Sequence, residues 1–292
     1  MSIADKFQRF CLALRMSEDV VDAVAYRYHR ITRQLNEAFR GCSNENAYSL
    51  YVGSYGRGSA IHVSDIDMLY ILPESYYWKF DGYAGNGQSA MLQVVRNAIA
   101  QTYPQTVVKG DGQVVGVNFS DGICFEVVPC FENTDRSFTF PDANNGGRWR
   151  TTNPRPEIEA IRNMDQQTNK NLRRLCRMVR AWKDQCNVPM GGLLIDTLAH
   201  HFLKDWAYRD KSFLYYDYLT RDFFEYLSGV NDKQAYWYAV GSNQWIFPRG
   251  NFAYKAKQAF LNALGAIGYE GEGKEWSANQ KWREIYGTQF PY

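Results

Sequence analysis

The sequence predicts an α+β chain in which strands and helices mix through the first half and helices alone fill the second. Three observations carry that reading. Short apolar segments of strand length, bounded by Gly, Asn and Asp, recur between residues 49 and 128. A long run of apolar residues at helical spacing stands ahead of them. Beyond residue 156 the spacing is again helical, after a stretch, 131–156, whose Asn144-Asn145-Gly146-Gly147 and two closing prolines read as a linker or cleft-crossing stretch. The expected division is therefore residues 1–154 for the mixed portion and 155–292 for the helical one.

Taken in order, Val20, Val24, Tyr28, Ile31, Leu35 and Phe39 fall on one helical face behind Ser17, a good N-cap residue. This helix is expected to support the sheet. A strand ending at Val52 runs into Gly53-Ser54, a short helical piece follows near Ser59, and a strand covers Asp65 to Leu72. A Gly-containing loop (Gly82, Gly85, Gly87) precedes a helix with Met91, Val95 and Ile99 on one face. Gln113–Phe119 and Ile123–Val128 flank Ser120-Asp121-Gly122, an Asp-Gly hairpin signal. In the second portion a helix from about Asp165 to Cys186 carries the stripe Leu172, Leu175, Cys176, Val179 and Trp182, with Lys183 inside the stripe and Arg180 on its flank. A lysine on a buried side calls for an anion.

The segment richest in chemistry is Gly53-Ser54-Tyr55-Gly56-Arg57-Gly58-Ser59, followed by Asp65-Ile66-Asp67 at the head of an apolar strand. Alternation along a strand puts Asp65 and Asp67 on one face. Paired carboxylates suit Mg²⁺, a hard cation commonly shared between one or two carboxylates and substrate phosphates. Gly53 lets a phosphate approach the backbone, and Ser54 adds a hydroxyl beside exposed amides. A two-metal site needs a further carboxylate, and Glu126, alternating with the apolar Phe125 and Val127, is the candidate.

Gly-Ser, Asp-x-Asp ten residues on, and a carboxylate opening Glu126-Val127-Val128-Pro129 resemble the polymerase-beta-type nucleotidyltransferases. Within them the chain is most similar to the cGAS/DncV-like nucleotidyltransferases (CD-NTases). Supporting matches are Asn145-Gly146-Gly147-Arg148-Trp149 with Thr152-Asn153-Pro154, Arg177 through Lys183, and Trp282-Arg283-Glu284-Ile285-Tyr286-Gly287 with Phe290-Pro291. The resemblance implies a nucleotidyltransferase palm with a C-terminal helical lobe, oligoadenylate-synthetase-like, and an active site in the cleft between them. It implies catalytic and metal-binding roles for Asp65, Asp67 and Glu126 toward two Mg²⁺ ions, with Mn²⁺ as a substitute. Nucleotide contacts fall to Gly53, Ser54, Arg57, Arg180 and Lys183. Relatives usually carry Lys-x-Trp where this chain has Arg180-Ala181-Trp182, so Arg180 and Lys183 compete for the triphosphate. The implied substrates are nucleoside triphosphates, and the implied product is a cyclic di- or trinucleotide messenger that activates a separate effector in bacterial antiphage signalling. A non-cyclising transferase or an inactive nucleotide sensor would keep the same motif.

Composition narrows the remaining classes. At 292 residues, with 45% apolar and 16% aromatic residues, the chain can bury a sizeable core. No run approaches the ~18 apolar residues of a membrane span. Asp5, Lys6, Arg9 and Arg15 interrupt the first sixteen residues, which argues against a signal peptide and for a cytoplasmic protein. Six scattered cysteines without Cys-x-x-Cys, and four histidines, indicate neither disulfides nor zinc, so buried thiols are expected. The resemblance makes this a departure from animal cyclic GMP-AMP synthase, whose family carries a zinc-bearing DNA-binding insertion, and so implies no direct activation by double-stranded DNA. A monomer is expected as well. The net charge is only +2, yet between Arg148 and Lys183 ten Lys or Arg face three acids, an anion-binding stretch. The aromatics of the last third read as core for the most part.

Overall fold

The computed structural model describes residues 1–231 and 233–292, and these divide into two units: Met16–Arg155, and Met1–Arg15 together with Pro156–Tyr292. The first helix, α1 (Ile3–Ala13), thus belongs with the C-terminal residues. The sequence reading had placed it with residues 1–154. The reason is aromatic packing: Phe7 meets Trp282 and Phe290 edge-on at 5.1 Å each, and Phe10 lies 4.7 Å from Tyr286. Lys6, almost fully buried, binds Glu275 at 2.7 Å and Asn279 at 2.8 Å.

In the unit 16–155, α2 (Glu18–Arg40) starts at Ser17, whose side chain accepts from the Val20 amide, and ends at Gly41 in the left-handed region. Val24, Tyr28, Ile31 and Leu35 are buried on its inner face, and Phe39 packs partly buried beside them. Each such side chain contributes roughly 1.5–3 kcal/mol when withdrawn from water. The sheet elements follow: β1 (Ser49–Tyr51), α3 (Gly53–Arg57), β2 (Ile66–Ile71), α4 (Glu74–Asp81), α5 (Gly87–Thr102), β3 (Val107–Asp111), β4 (Val114–Asn118), β5 (Cys124–Glu132), β6 (Phe138–Asp142) and β7 (Arg148–Thr152). Among the described residues the strands run β1-β2-β5-β4-β3, with β6 continuing from β5 and β7 pairing β6. β2 and β5 are parallel; the other pairs are antiparallel. Ile66, Met68 and Tyr70 of β2 face the core under α2 and α5, and the Tyr70 hydroxyl donates to the buried Asn36 of α2 at 3.0 Å. The opposite side of β2 carries Asp67 beside the buried Leu69 and the half-buried Ile71.

Two sequence expectations are corrected here. The short helical piece begins at Gly53 rather than near Ser59, because Gly58 adopts a left-handed conformation and stops it. The stretch 131–156 is no linker: β6 and β7 extend the sheet, and only residues 144–146 form the Asn-Gly-rich turn. The motif Gly146-Gly147-Arg148-Trp149 works structurally there. Asp142, buried, receives Arg148 at 3.0 Å; Trp149 donates to Asp81 at 2.9 Å; and a Cβ on Gly147 would strike Asn86 and Gln88.

In the second unit, the helix expected from Asp165 is two helices, α6 (Pro154–Gln167) and α7 (Asn171–Gln185), separated by Asn169 and Lys170 in the left-handed region. There follow α8 (Gly192–Asp205), α9 (Tyr216–Ser228), β8 (Trp237–Tyr238), β9 (Trp245–Ile246), α10 (Ala253–Gly271) and α11 (Glu275–Tyr286). Tyr216, Phe223, Phe224 and Trp237 are buried, but Tyr208, Tyr218, Tyr236, Tyr238 and Trp245 are exposed, so the expectation that the aromatics of the last third are mostly core is corrected: many of them line the surface. The six thiols are free; Cys11, Cys130 and Cys176 are buried, Cys124 and Cys186 are half-buried, and Cys42, expected inside, is exposed. No helix among the described residues is long and apolar enough to cross a membrane.

Candidate active site

The turn between β1 and β2 is built by close packing. The Val52 amide donates to the Asp67 carbonyl at 2.9 Å, which pins the start of α3 against the acidic strand. Gly53 has φ +60°, and a Cβ placed on it would fall onto the Asp67 carboxylate. Both facts require glycine, one for the backbone and one for the space. The Ser54 carbonyl accepts from the amides of Ser59 at 2.9 Å and Ala60 at 3.2 Å, which folds the loop back on itself. Glycine here lets Asp67 lie against the loop.

The acidic residues converge through strand register. Asp67 pairs with Glu126 across the parallel β2–β5 ladder, so their side chains share a face. Asp65, two residues earlier, projects on that side from just before β2. Asp65 is exposed, whereas Asp67 and Glu126 are half-buried. Burial, then the charges of Glu126 and Asp65, push the Asp67 carboxyl up to about 7 against the opposing pull of Arg57. Burial, then Asp65 and Asp111, raise Glu126 as well. Like charges at close quarters disfavour joint ionisation.

The same row continues across the sheet. Glu126 pairs with Gly116 on β4, and Gly116 with Lys109 on β3, so Asp67, Glu126, Gly116 and Lys109 stand side by side on one face. Gly116 leaves the place next to Glu126 without a side chain. Lys109 and Asp111, both exposed, are residues that the sequence reading missed. Alternation along residues 107–111 puts those two on a common face, but only the register shows which face.

As a metal-binding set, the three carboxylates have the right donor chemistry: oxygen ligands whose charge burial and mutual repulsion leave uncompensated. Their side chains are not drawn into a finished cage, since among the described residues no three His, Cys, Asp or Glu groups stand ready to hold an ion.

The proposed phosphate contacts fare unequally. Gly53 and Ser54 lie at the acidic face. Arg57 is buried, 5% exposed, with its charge felt by Asp67, a position that does not present it to a ligand. Arg180 and Lys183 belong to the other unit. Arg180 makes a bidentate ion pair with Asp196 of α8, at 2.6 and 3.0 Å, and also donates to the carbonyls of Cys176 at 3.2 Å and Gly192 at 3.1 Å. Asp196 is fully buried. Lys183, which helical phase had placed inside the apolar stripe, is half-exposed and 3.3 Å from Asp184. The phase argument is thus inverted: the arginine is interior and the lysine reaches water, because α8 packs nearer the Arg180 side of α7.

Comparison with known proteins agrees with this architecture. A family model described as the Second Messenger Oligonucleotide or Dinucleotide Synthetase domain matches residues 1–165. A probable cyclic nucleotide synthase of Bacillus cereus (strain VD146) is 23% identical over 186 residues, 57% of this chain and 51% of that protein, so the chain spans about half the length of this curated relative. Among solved structures, CdnC of E. coli MS115-1 in its complex with HORMA-deltaN superposes with a TM-score of 0.73 at 14% identity, over 99% of this chain and 98% of that one. CdnG of Bradyrhizobium diazoefficiens, a CD-NTase in complex with GTP, gives 0.71 at 10% identity over 99% and 96%. The di-nucleotide cyclase DncV of Vibrio cholerae gives 0.63 at 10% identity over 99% and 87%. At such identities the likeness establishes the fold, an α+β arrangement shared with CD-NTases.

Proposed function

Because the chain belongs to the Second Messenger Oligonucleotide or Dinucleotide Synthetase family, we propose that it is a nucleotidyltransferase that joins nucleoside triphosphates into a cyclic di- or trinucleotide messenger. The observation that carries this reading is the in-register pairing of Asp67 with Glu126, with Asp65 on the same face and Gly53 packed against Asp67.

Asp65, Asp67 and Glu126 would hold the divalent cations, Mg²⁺ by their hardness and with Mn²⁺ as a substitute. When bound, such ions polarise the phosphoryl oxygens and lower the proton affinity of an attacking hydroxyl. The chain's own groups do the remainder. Glu126, with its raised proton affinity, takes the proton from the ribose hydroxyl of the acceptor. That oxygen forms the new bond to the α-phosphorus of the donor, the bond from the α-phosphorus to the bridging oxygen breaks, and pyrophosphate leaves. Ser54 and the backbone amides of the Gly53-Ser54 turn receive the departing phosphates. A second round closes the ring. The product acts through a separate effector, in the antiphage setting that the family resemblance implies.

The test is incubation of the full chain with all four nucleoside triphosphates and Mg²⁺ or Mn²⁺, followed by mass analysis of nuclease- and phosphatase-resistant products. A cyclic product lost in Asp65→Asn/Asp67→Asn is expected. Linear products alone would make the enzyme a non-cyclising transferase, and equal synthesis by a folded double variant would overturn the site assignment.

A further inference from the structure

A pocket of about 380 Å³ lies wholly within the second unit, lined by Arg15 beyond α1, by Lys170, Arg173, Arg174 and Arg177 of α7 and its approach, and by Asp165 of α6. Leu12, Cys11 and Phe213 supply an apolar wall. Five cations face a single acid among the described lining residues. None of the acidic-face residues, nor Arg180 or Lys183, contributes to it.

Asp165 is already occupied. One carboxylate oxygen accepts the Arg173 amide at 2.9 Å and the other lies 3.8 Å from the Arg173 guanidinium. Arg174 stacks over Phe213 at 4.8 Å and donates to the Asn169 carbonyl at 3.1 Å, contacts that steer the side chain without cancelling its charge. Burial, together with the neighbouring Arg15 and Arg173, disfavours the charge on Arg177. The placement along α7 aggravates this. Lys170, Arg173 and Arg174 crowd the first turn, where the helix presents its positive end and where acids are the favoured residues, yet that turn carries none. Like charges gathered at the wrong end of a helix are stabilised by an anion seated among them.

We propose that this pocket binds a small polyanion with adjacent phosphoryl groups, of the triphosphate class. Its shape favours a compact ligand: the cations converge on one cavity rather than lining a stripe along which a nucleic-acid backbone could run. The shared chemistry comes from two sources, inorganic triphosphate or the tail of a nucleoside triphosphate, the latter laying its base on the wall of Leu12 and Phe213. The inference does not depend on the proposed synthase activity.

Calorimetric titration of the full chain with sodium triphosphate, and separately with ATP, tests it in EDTA so that no metal bridges the ligand to the carboxylates. Saturable one-to-one binding is expected, weakened about ten-fold or more in Arg15→Glu/Lys170→Glu, two exposed positions. Binding should persist in Lys183→Ala and in Asp65→Asn/Asp67→Asn. Tighter binding of ATP than of triphosphate, reduced by Leu12→Asp, assigns the nucleotide as source; equal binding assigns the inorganic ion. If the double variant fails to fold, Arg173→Gln reads the same site. The proposal is overturned by absence of saturable binding, by affinity unchanged in the folded pocket variants, by loss in Lys183→Ala, or by a short oligonucleotide binding more tightly than triphosphate.

Discussion

The acidic face of the sheet and the Arg180–Asp196 pair in the helices handle charge in opposite ways. On the sheet, burial first, and then the placing of Asp67 and Glu126 side by side with Asp65 nearby, raises the proton affinity of both half-buried carboxyls. Between α7 and α8, Arg180 and Asp196 satisfy one another through two hydrogen bonds, with two carbonyls completing the guanidinium's partners. The first arrangement is unfavourable by itself and is relieved by a proton or a cation. The second is complete without any ligand. Buried charge that the fold balances is structural, and buried charge that it leaves unbalanced marks a place for something else to bind.

Breaking the unbalanced side should cost activity and little stability. Glu126→Gln keeps size and hydrogen bonding while removing the charge, so synthesis should fall by roughly 10²–10⁴-fold. Its melting temperature should stay level or rise, since one repelling carboxylate is gone. A lower melting temperature with synthesis retained would make Glu126 a structural residue.

Breaking the balanced side should do the reverse. Arg180→Ala strips Asp196 of its bidentate partner and should destabilise the fold by about 3–5 kcal/mol in urea titration. Arg180→Lys keeps the charge but not the fork, and should recover only part of that loss. Full stability of Arg180→Ala would return Arg180 to the ligand-binding list.

The pH dependence separates the two regions further. A carboxyl whose folded pKa is raised binds its proton more tightly in the native state than in the unfolded one, so the native state loses stability as pH climbs from about 4 to about 7. In the metal-free protein Asp67 should cost roughly 1–3 kcal/mol across that window, an amount reduced from the full shift because the group is only half-buried. Asp67→Asn should flatten the decline, and Mg²⁺ should offset it in the wild type alone. An identical pH profile in both proteins would show that neither burial nor the neighbouring carboxylates raise Asp67.

Lys183→Ala gives the smallest effect on stability, within about 0.5 kcal/mol, as its partner Asp184 is solvent-exposed. Measured against nucleoside tri-, di- and monophosphates, the variant should lose preference for the triphosphate if Lys183 grips the phosphate tail. An unchanged preference removes it from the site.

Local chemistry was legible in the sequence. Ser17 as a cap, the apolar stripe of α2, the hairpin around Asp121-Gly122, and the common face of Asp65 and Asp67 all follow from spacings of a few residues, where backbone periodicity alone decides direction. The Gly53-Ser54 and Asp-x-Asp pairing carried the family likeness for the same reason. What needed the folded chain were contacts between distant segments. Register set Glu126 beside Asp67 and brought Lys109 into the row; a steric demand at Gly53 came from a carboxylate fourteen positions on; and the aromatics at 282–290 drew α1 away from the sheet-bearing unit. Helical phase favoured Lys183 over Arg180 and was inverted by the fold, because the burial of either depends on which neighbouring helix packs there. Asp196, sixteen residues beyond Arg180, settled that choice. Periodicity specifies which side of an element is apolar, while the partner that covers it, and the charge that partner brings, are properties of the packed molecule.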